Sequence, residues 1–263
     1  MLNAAVRDFE SARMNGGIPG ENGGQAESGT EMQKKDMTEI DENLEGKRRL
    51  ALEVIERLRQ AYPDADCTLD YDDAWKLLVS VRLAAQCTDA RVNVVVKDLY
   101  ARYPTPEALA KASPEEIEEI VRPCGLGRSK ARDISGCMRM LVTEYGGRVP
   151  DTMEELLRLP GVGRKSANLV LGDVFGKPAI VTDTHCIRLS NRIGLVDNLK
   201  DPKRVEMALW KIIPPEEGNL LCHRFVLHGR EVCTARTSPF CGRCCLSDIC
   251  RSAFTFPIPA SKR

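Results

Sequence analysis

The sequence predicts an all-α protein, because helix boundary signals recur along it and strand signals do not. Each predicted helix start has a side-chain oxygen followed by proline at the first helical position or by glutamate three residues on. These starts are at Thr105, Ser113, Thr152 and Asp201. Glycines that favour helix ends follow at Gly125, Gly146, Gly176 and Gly194. Only "KPAIVTDTH" reads as a short strand, so we expect roughly ten helices.

The chain divides by charge near residue 46. Residues 1–46 hold ten acidic and four basic residues, a net charge of −6, and show little apolar periodicity. We predict that they are disordered, with a short helix at residues 4–14. A helical pattern starts at Lys47, and since the whole chain is neutral, the remainder carries +6. A basic body fits a nucleic-acid partner.

Segments typical of export or membrane insertion are missing from the sequence. It has no apolar run of about 18 residues and no secretory apolar core at its start. We therefore expect a cytoplasmic protein with no membrane partner. Disulfides are rare in that compartment, so the eleven cysteines are expected to be buried thiols or metal ligands.

Four cysteines near the end of the chain have a spacing typical of a metal centre. They are Cys233, Cys241, Cys244 and Cys250, and Cys245 is a spare neighbour. The residues between them are polar, which does not suit a hydrophobic core. Four sulfurs could bind a structural zinc ion or an iron–sulfur cluster. Zinc sites tend to pair two CxxC knuckles and only one is present, so the spacing mildly favours a cluster.

The stretch "LPGVGRKSAN" predicts two helices joined by a tight hairpin. Pro160 and Gly161 end the first helix, and Gly163 permits backbone geometry that other residues resist. The start of the second helix presents unpaired N–H groups and the positive end of the helix dipole, which favour an anion such as a phosphodiester. A looser second copy is read at "CGLGRSKA". Either motif alone would more often be a purely structural turn.

Lys165 lies where a helix end and the neighbouring Arg164 both disfavour a protonated amine. An unprotonated amine can attack carbon, so Lys165 is a candidate nucleophile; a lysine that pairs with phosphate is an equally good reading. Asp183 in "VTDTHCIRL" could accept the proton from the lysine, cap the next helix, or do both. His185 could be packed, face DNA or take part in catalysis.

Together "LPGVGRK", "VTDTHCIRLSNRIGL", "LHGREVC" and the four-cysteine tail resemble the endonuclease III family of helix–hairpin–helix base-excision DNA glycosylases. The likeness runs from about Lys47 to Cys250, with "LAAQCTD" and "GLGRSK" also in register. The resemblance implies a two-domain fold. Residues 67–177 would form a six-helix barrel with the hairpin, and residues 47–66 and 178–263 an iron–sulfur cluster domain.

The same resemblance implies a role for each matching position. Lys165 would be the Schiff-base lysine and Asp183 the essential aspartate. The 4Fe-4S ligands would be Cys233, Cys241, Cys244 and Cys250. Gln86 and Leu126 would fill the gap left by the flipped base, and the phosphate would be held by the hairpin. The DNA-contacting set is completed by Gly161, Val162, Gly163, Arg164 and His185.

The implied activity is excision of oxidised pyrimidines followed by strand cleavage 3′ to the abasic site by β-elimination. The implied partner is double-stranded DNA with damaged bases or abasic sites, bound by a monomer associated with the bacterial nucleoid. Adenine-removing relatives carry a glutamate on the helix of Arg82 and lack the lysine; this sequence has the opposite pattern. Rival readings are a monofunctional glycosylase, which would not need Lys165, and a non-enzymatic DNA-binding module, against which both Lys165 and Asp183 argue.

The sequence departs from the family in the loop between its first two cluster cysteines. Cys233 and Cys241 enclose seven residues, "TARTSPF", where the family usually has six. Only Arg236 supplies a cation in a loop that is expected to meet the DNA backbone. Phosphate affinity at this loop is therefore expected to be lower.

Overall fold

The structure, a computed structural model, describes the backbone of residues 27–256 and the side chains of residues 41–256. The chain divides into two units, Met1–Glu42 and Asn43–Arg263. Apart from the start of the first helix, the architecture below belongs to the second unit. The short helix predicted at residues 4–14 lies outside the described residues.

Eleven α-helices and three 3-10 turns make up the regular structure of the described residues. The helices are α1 (Glu27–Ala61), α2 (Ala74–Leu83), α3 (Asp89–Arg102), α4 (Pro106–Lys111), α5 (Pro114–Val121), α6 (Gly127–Tyr145), α7 (Met153–Arg158), α8 (Arg164–Asp173), α9 (Thr184–Ile193), α10 (Pro202–Leu209) and α11 (Gly218–Glu231). The 3-10 turns are Arg122–Cys124, Pro215–Glu217 and Cys241–Arg243. The all-α prediction is confirmed. The strand-like "KPAIVTDTH" forms no strand; it is an irregular segment that buries Ala179, Ile180 and Val181 before α9.

Helix α1 differs from the sequence prediction at its start. It begins at Glu27, so the backbone of residues 27–46 is helical where we predicted disorder. The physical reason lies in local composition. This segment holds Glu, Lys, Met and Gln, which favour helix, and no proline. A low apolar content excludes a packed core but does not prevent a polar helix that continues from a buried one.

Predicted helix starts are confirmed in their capping geometry. Thr105, Thr152 and Asp201 each accept a hydrogen bond from a backbone N–H in the first turn of their helix. Ser113 forms a complete capping box with Glu116. These local bonds replace helical partners that the first turn lacks, which is why the sequence signal is reliable.

Two hydrophobic cores lie within the second unit. The first is built from residues 69–171 and includes Leu77, Leu99 and Met138. The second combines residues 51–58 of α1 with residues 180–246 and includes Leu58 and Phe225. The cores correspond in sequence range to the two predicted domains, although both belong to one compact unit. The exact domain limits therefore stay a prediction. No helix among the described residues is both long and apolar enough to cross a membrane.

Candidate functional site

A cavity of about 300 Å³ lies where residues of the two cores meet. Its walls include Leu69 and Leu169 from the first core and Val181 from the second. Lys165, Asp183 and His185 also line it. The structure thus places three of the sequence-predicted site residues around one cavity, although they come from two helices.

Lys165 is the second residue of α8, and its side chain is exposed. It makes no hydrogen bond or ion pair with any other residue that the structure describes. Its charge nevertheless acts on two neighbours, Asp89 and His185. The amine is therefore held at the cavity wall by its helix while its nitrogen remains available to a ligand.

Asp183 is the N-cap of α9, as one reading of the sequence predicted. Its Oδ1 accepts a hydrogen bond of 2.7 Å from the backbone N–H of Cys186. Since one oxygen satisfies the helix, the carboxylate is fixed in orientation, and the other oxygen has no hydrogen-bond partner among the described residues. A fixed carboxylate with a free oxygen suits proton transfer or stabilisation of a nearby positive charge.

His185, the second residue of α9, is half-buried beside Arg188, whose guanidinium lies 3.2 Å from Nδ1. Burial lowers the pKa of His185, and the positive charges of Arg188, Arg230 and Lys165 lower it further. The charge of Asp183 acts in the opposite direction. The ring is therefore neutral near neutral pH and offers a hydrogen-bonding group to the cavity without adding to its charge.

The cavity also contains a carboxylate to which the sequence analysis gave no role. Asp89, at the start of α3, accepts hydrogen bonds of 2.7 Å each from Thr68 and Arg230. Burial would raise the pKa of Asp89, but these two bonds and the charge of Lys165 outweigh it and hold the pKa below its usual range. Asp89 belongs to "LAAQCTD" and Arg230 to "LHGREVC", so both lie inside motifs that carry the family resemblance. Their pairing across 141 positions could not be read from either motif.

The predicted hairpin joins α7 to α8. Gly161 has φ +76, the left-handed conformation that favours glycine. Gly163 caps α8 with φ −99, which is ordinary backbone, so our expectation of special geometry at Gly163 was wrong and applies to Gly161 instead. The space around a Cβ at Gly163 is empty for 4 Å. No side chain caps α8, so its first N–H groups have no side-chain partner.

Arg164 has a partner that the sequence did not reveal. Its guanidinium donates two hydrogen bonds, of 2.6 and 2.7 Å, to the two carboxylate oxygens of Glu206 on α10. Glu206 is 1 % exposed. The Glu206 carboxylate raises the pKa of Arg164. This pairing neutralises the charge that was expected to act on Lys165 and to meet DNA, and it ties α8 to α10.

Gln86 and Leu126 share an unusual backbone. Among the described residues only four that are not glycine have positive φ, and these two are among them, at +57 and +52. Both are exposed, and Leu126 retains 54 % of its surface. Such a conformation costs about 1–2 kcal/mol for an L-residue, so the surrounding structure must hold it in place. The sequence indicated both positions, but their positive φ angles appear only in the structure.

Cys233, Cys241, Cys244 and Cys250 surround one small cavity together with Arg192 and Val232, and Cys245 is not part of its wall. N–H groups approach two of the sulfurs: Arg192 lies 3.3 Å from Cys233 Sγ and the Leu246 backbone 3.4 Å from Cys244 Sγ. Burial raises the pKa of the Cys244 thiol to about 11. Within the described residues, no three His, Cys, Asp or Glu side chains converge on a point that would hold a single metal ion. Four sulfurs around one cavity, two of them with an N–H donor, suit a bound iron–sulfur group that contacts all four. Binding such a group would convert the thiols to thiolates.

The loop between Cys233 and Cys241 exposes Arg236 and Thr237. Thr234 Oγ1 bonds to the Thr237 hydroxyl at 2.8 Å, which holds the loop as a turn. Arg236 is the one basic residue of this loop, as the sequence shows.

Known proteins match both the sequence and the fold. The family model described as "HhH-GPD superfamily base excision DNA repair protein" matches residues 79–215. An endonuclease III of Synechocystis sp. is 47 % identical over 219 residues, which cover 82 % of this chain and 99 % of that one. An endonuclease III of Bacillus subtilis is 40 % identical and covers 75 % of this chain and 90 % of its own.

Among solved structures, a trapped endonuclease III–DNA covalent intermediate superposes with a TM-score of 0.74 at 42 % identity, covering 78 % of this chain and 96 % of that one. A thermostable thymine-DNA glycosylase superposes with a TM-score of 0.70 at 23 % identity, covers 81 % of this chain and 99 % of that one, and supports the fold alone. The chain therefore belongs to the endonuclease III family, enzymes with DNA glycosylase and abasic-site lyase activity, within the HhH-GPD superfamily of base excision DNA repair proteins.

Proposed function

We propose that this protein excises oxidised pyrimidines from double-stranded DNA through a Schiff base on Lys165 and then cuts the strand 3′ to the abasic site by β-elimination. The observation that carries the proposal is the position of Lys165. Its amine lines the cavity without a protein partner, and the oriented carboxylate of Asp183 lines the same cavity. The expectation that the target bases are oxidised pyrimidines rests on the resemblance to the family.

The reaction requires a flipped base to enter the cavity, which about 300 Å³ can accommodate. The unprotonated Lys165 amine attacks C1′ of the deoxyribose, and the bond from C1′ to the base breaks with its electron pair leaving on the base. Asp183 stabilises the positive charge at the sugar and takes up the proton that the attacking amine releases. The C1′–O4′ bond of this closed-ring adduct then breaks, its electron pair stays on O4′, which takes up a proton, and the product is an iminium between Lys165 and the opened sugar.

The iminium acidifies the proton on C2′, and removal of that proton allows the C3′–O bond to break. The 3′ phosphate leaves with the electron pair, and the strand is cut. Water then hydrolyses the imine and returns Lys165 as the free amine. The chain needs no soluble cofactor for any of these steps.

DNA would be held on both sides of the cavity. The uncapped start of α8 and the open space at Gly163 suit a phosphate oxygen on the damaged strand. Gln86 and Leu126, both exposed and both in strained conformations, would fill the space that the flipped base leaves. The side chain of Arg164 is occupied by Glu206, so its part in DNA binding would be limited to its backbone N–H.

The experiment that tests this function is borohydride trapping on duplex DNA with an abasic site. The wild type should form a covalent adduct, and Lys165→Ala should form none. Lys203→Ala is the matched control, because Lys203 is exposed and is also the second residue of a helix, α10. If the wild type forms no adduct, the lyase proposal is wrong; if Lys165→Ala still cuts the strand, the nucleophile is wrong.

We further propose that Cys233, Cys241, Cys244 and Cys250 hold a 4Fe-4S cluster. When bound, it would cross-link the segment after α11 and so stabilise it. Purified protein should be brown and contain iron. Cys244→Ser should lose colour and iron, whereas Cys245→Ser should retain both, since Cys245 does not line the cavity. Stoichiometric zinc in place of iron, or equal loss in the two variants, would contradict the assignment.

A further inference from the structure

Lys130 is a lysine for which the function above gives no role. It lies on α6 and is completely buried. Its Nζ donates two hydrogen bonds of 2.8 Å, one to the backbone oxygen of Leu83 and one to that of Cys124. Lys130 does not line the Lys165 cavity, so it cannot reach a reacting sugar.

A buried ammonium is expensive, and this one has no carboxylate to offset the cost. No ion pair involving Lys130 exists among the described residues. Burial lowers the pKa of Lys130. An apolar residue of similar length would avoid this cost, so the two bonds to backbone oxygens are the feature that distinguishes lysine from such a residue at this position.

The two oxygens belong to residues just before two loops, one carrying Gln86 and the other Leu126. Leu83 is the last residue of α2, three positions before Gln86. Cys124 ends the 3-10 turn before α6, two positions before Leu126. One nitrogen atom therefore fixes the backbone next to both positive-φ residues.

The same two loops also touch through their cysteines. Burial, together with the neighbouring Cys87 side chain, raises the pKa of the Cys124 thiol to about 11, so the two thiols lie close to each other. Cys87 follows Gln86 directly. The backbone oxygen of Cys124 accepts one of the two Lys130 hydrogen bonds. The thiol contact and the two lysine bonds together link the loops at points on either side of Gln86.

We propose that Lys130 is a positioning residue for lesion recognition: its buried amine ties the Gln86 loop to the Leu126 loop and fixes the distance at which the two side chains enter the duplex. The proposal rests on the function proposed above. It implies that Lys130 acts only where an opposite strand and a gap in the stack are present. The Lys165 chemistry itself does not depend on it.

Single-stranded and duplex substrates separate these two requirements. Lys130→Met removes both donors and keeps the length of the side chain. On a single-stranded abasic oligonucleotide, borohydride trapping by K130M should remain within about twofold of wild type. On a duplex with the same site, single-turnover cleavage should slow by about 10- to 100-fold, the size expected when groups are held about an ångström out of place.

Two comparisons make the test specific. Lys111→Met, at the exposed end of α4, is the control and should match wild type on both substrates. In a background of Gln86→Ala and Leu126→Ala, adding K130M should slow the duplex reaction no further, because Lys130 acts through those two residues. Unfolding in denaturant shows whether K130M folds at the assay temperature. If it does not, Lys130→Leu, which likewise has no donor, is measured by the same criteria.

Each outcome decides one question. The positioning role would be overturned if K130M slowed the reaction equally on single strands and duplexes, or if it left the duplex rate unchanged. It would also be overturned if adding K130M to Gln86→Ala and Leu126→Ala slowed the duplex reaction by the same factor as in the wild type. A wild type that forms no adduct on either substrate would instead refute the proposed function. The failures of the two proposals are thus distinguishable.

Discussion

At the scale of single residues, the site depends on side chains whose orientation is fixed by helix ends. Lys165 is held by the first turn of α8 and Asp183 by the N-cap of α9. Each helix begins at the cavity, so the polar groups of both helix starts face the same space. A single carboxylate can therefore serve as a helix cap and as a reaction partner.

Replacing Asp183 by Asn should separate those two roles. Asparagine is also a good N-cap, so the free energy of unfolding should fall by less than about 1 kcal/mol. The cleavage rate on damaged duplex should fall by about 100-fold or more, because the amide cannot accept a proton or balance a positive charge. Denaturant unfolding and single-turnover kinetics measure the two effects.

Asp201→Asn is the matched control, since Asp201 caps α10 with the same type of bond, 2.8 Å long, to Arg204 N–H. It should have the same small effect on stability and none on the rate. A rate for Asp183→Asn close to that of wild type would limit Asp183 to capping.

The sequence was sufficient to single out Lys165, Asp183 and His185, which the structure places around one cavity, because their motifs are short and local. It was not sufficient for Asp89 with Arg230 or for Arg164 with Glu206. Those partners are 141 and 42 positions apart and are brought together by packing of helices. Their charges looked like solvated surface, and only the fold shows that one of them, Glu206, is buried.

At the scale of elements, the two glycines of the hairpin between α7 and α8 differ in backbone conformation and in surroundings. Gly161→Ala should destabilise the fold by about 2 kcal/mol or more, because a Cβ there combines positive φ with contacts of 2.7 Å to Asp133 and 3.0 Å to Arg82. Gly163→Ala should fold normally, since its φ is ordinary and its surroundings are open. It should weaken binding to abasic duplex if a phosphate approaches that position.

Thermal unfolding and fluorescence anisotropy at one salt concentration measure these effects. Gly242→Ala, another glycine with no atom within 4 Å of a Cβ, serves as the control for both. Unchanged DNA affinity in Gly163→Ala would place the phosphate elsewhere.

The bond between α8 and α10 makes a second prediction at this scale. Arg164→Met leaves the buried Glu206 carboxylate without its charged partner, with only a long bond of 3.5 Å from Trp210 Nε1, and should cost about 2–4 kcal/mol of unfolding free energy. Adding Glu206→Leu should recover most of that loss, because both charges are then removed. A double-mutant cycle in denaturant measures the coupling. If Arg164→Met instead keeps full stability and loses DNA affinity, Arg164 is a DNA contact rather than a link between helices.

At the scale of the whole molecule, the described fold is two hydrophobic cores that meet at one cavity. The sequence predicted the helices and their caps, because these depend on local patterns. The ranges of the two domains came from the family resemblance and stay a prediction. The sequence did not predict the helical start at Glu27, since a polar segment that continues a buried helix carries no apolar signal. Monomeric state and localisation stay predictions.

Charge distribution also acts at this scale. The unit Met1–Glu42 contains nine acidic and four basic residues on a chain that is neutral overall. Removing it should tighten binding to abasic duplex a few-fold at low salt, with the difference shrinking as salt rises. A full-length variant with those acidic residues changed to amides should show the same gain. If affinity is equal with and without the unit at every salt concentration, its charge does not affect DNA binding.

The proposed function depends on which atom of the protein becomes bonded to DNA. The direct measurement is peptide mapping by mass spectrometry of the adduct that borohydride traps on a duplex containing an oxidised pyrimidine. The account predicts one modified position, Lys165, with the reduced sugar fragment on its amine. A sugar fragment on any other residue, or excision of the base without a trapped adduct, would contradict it.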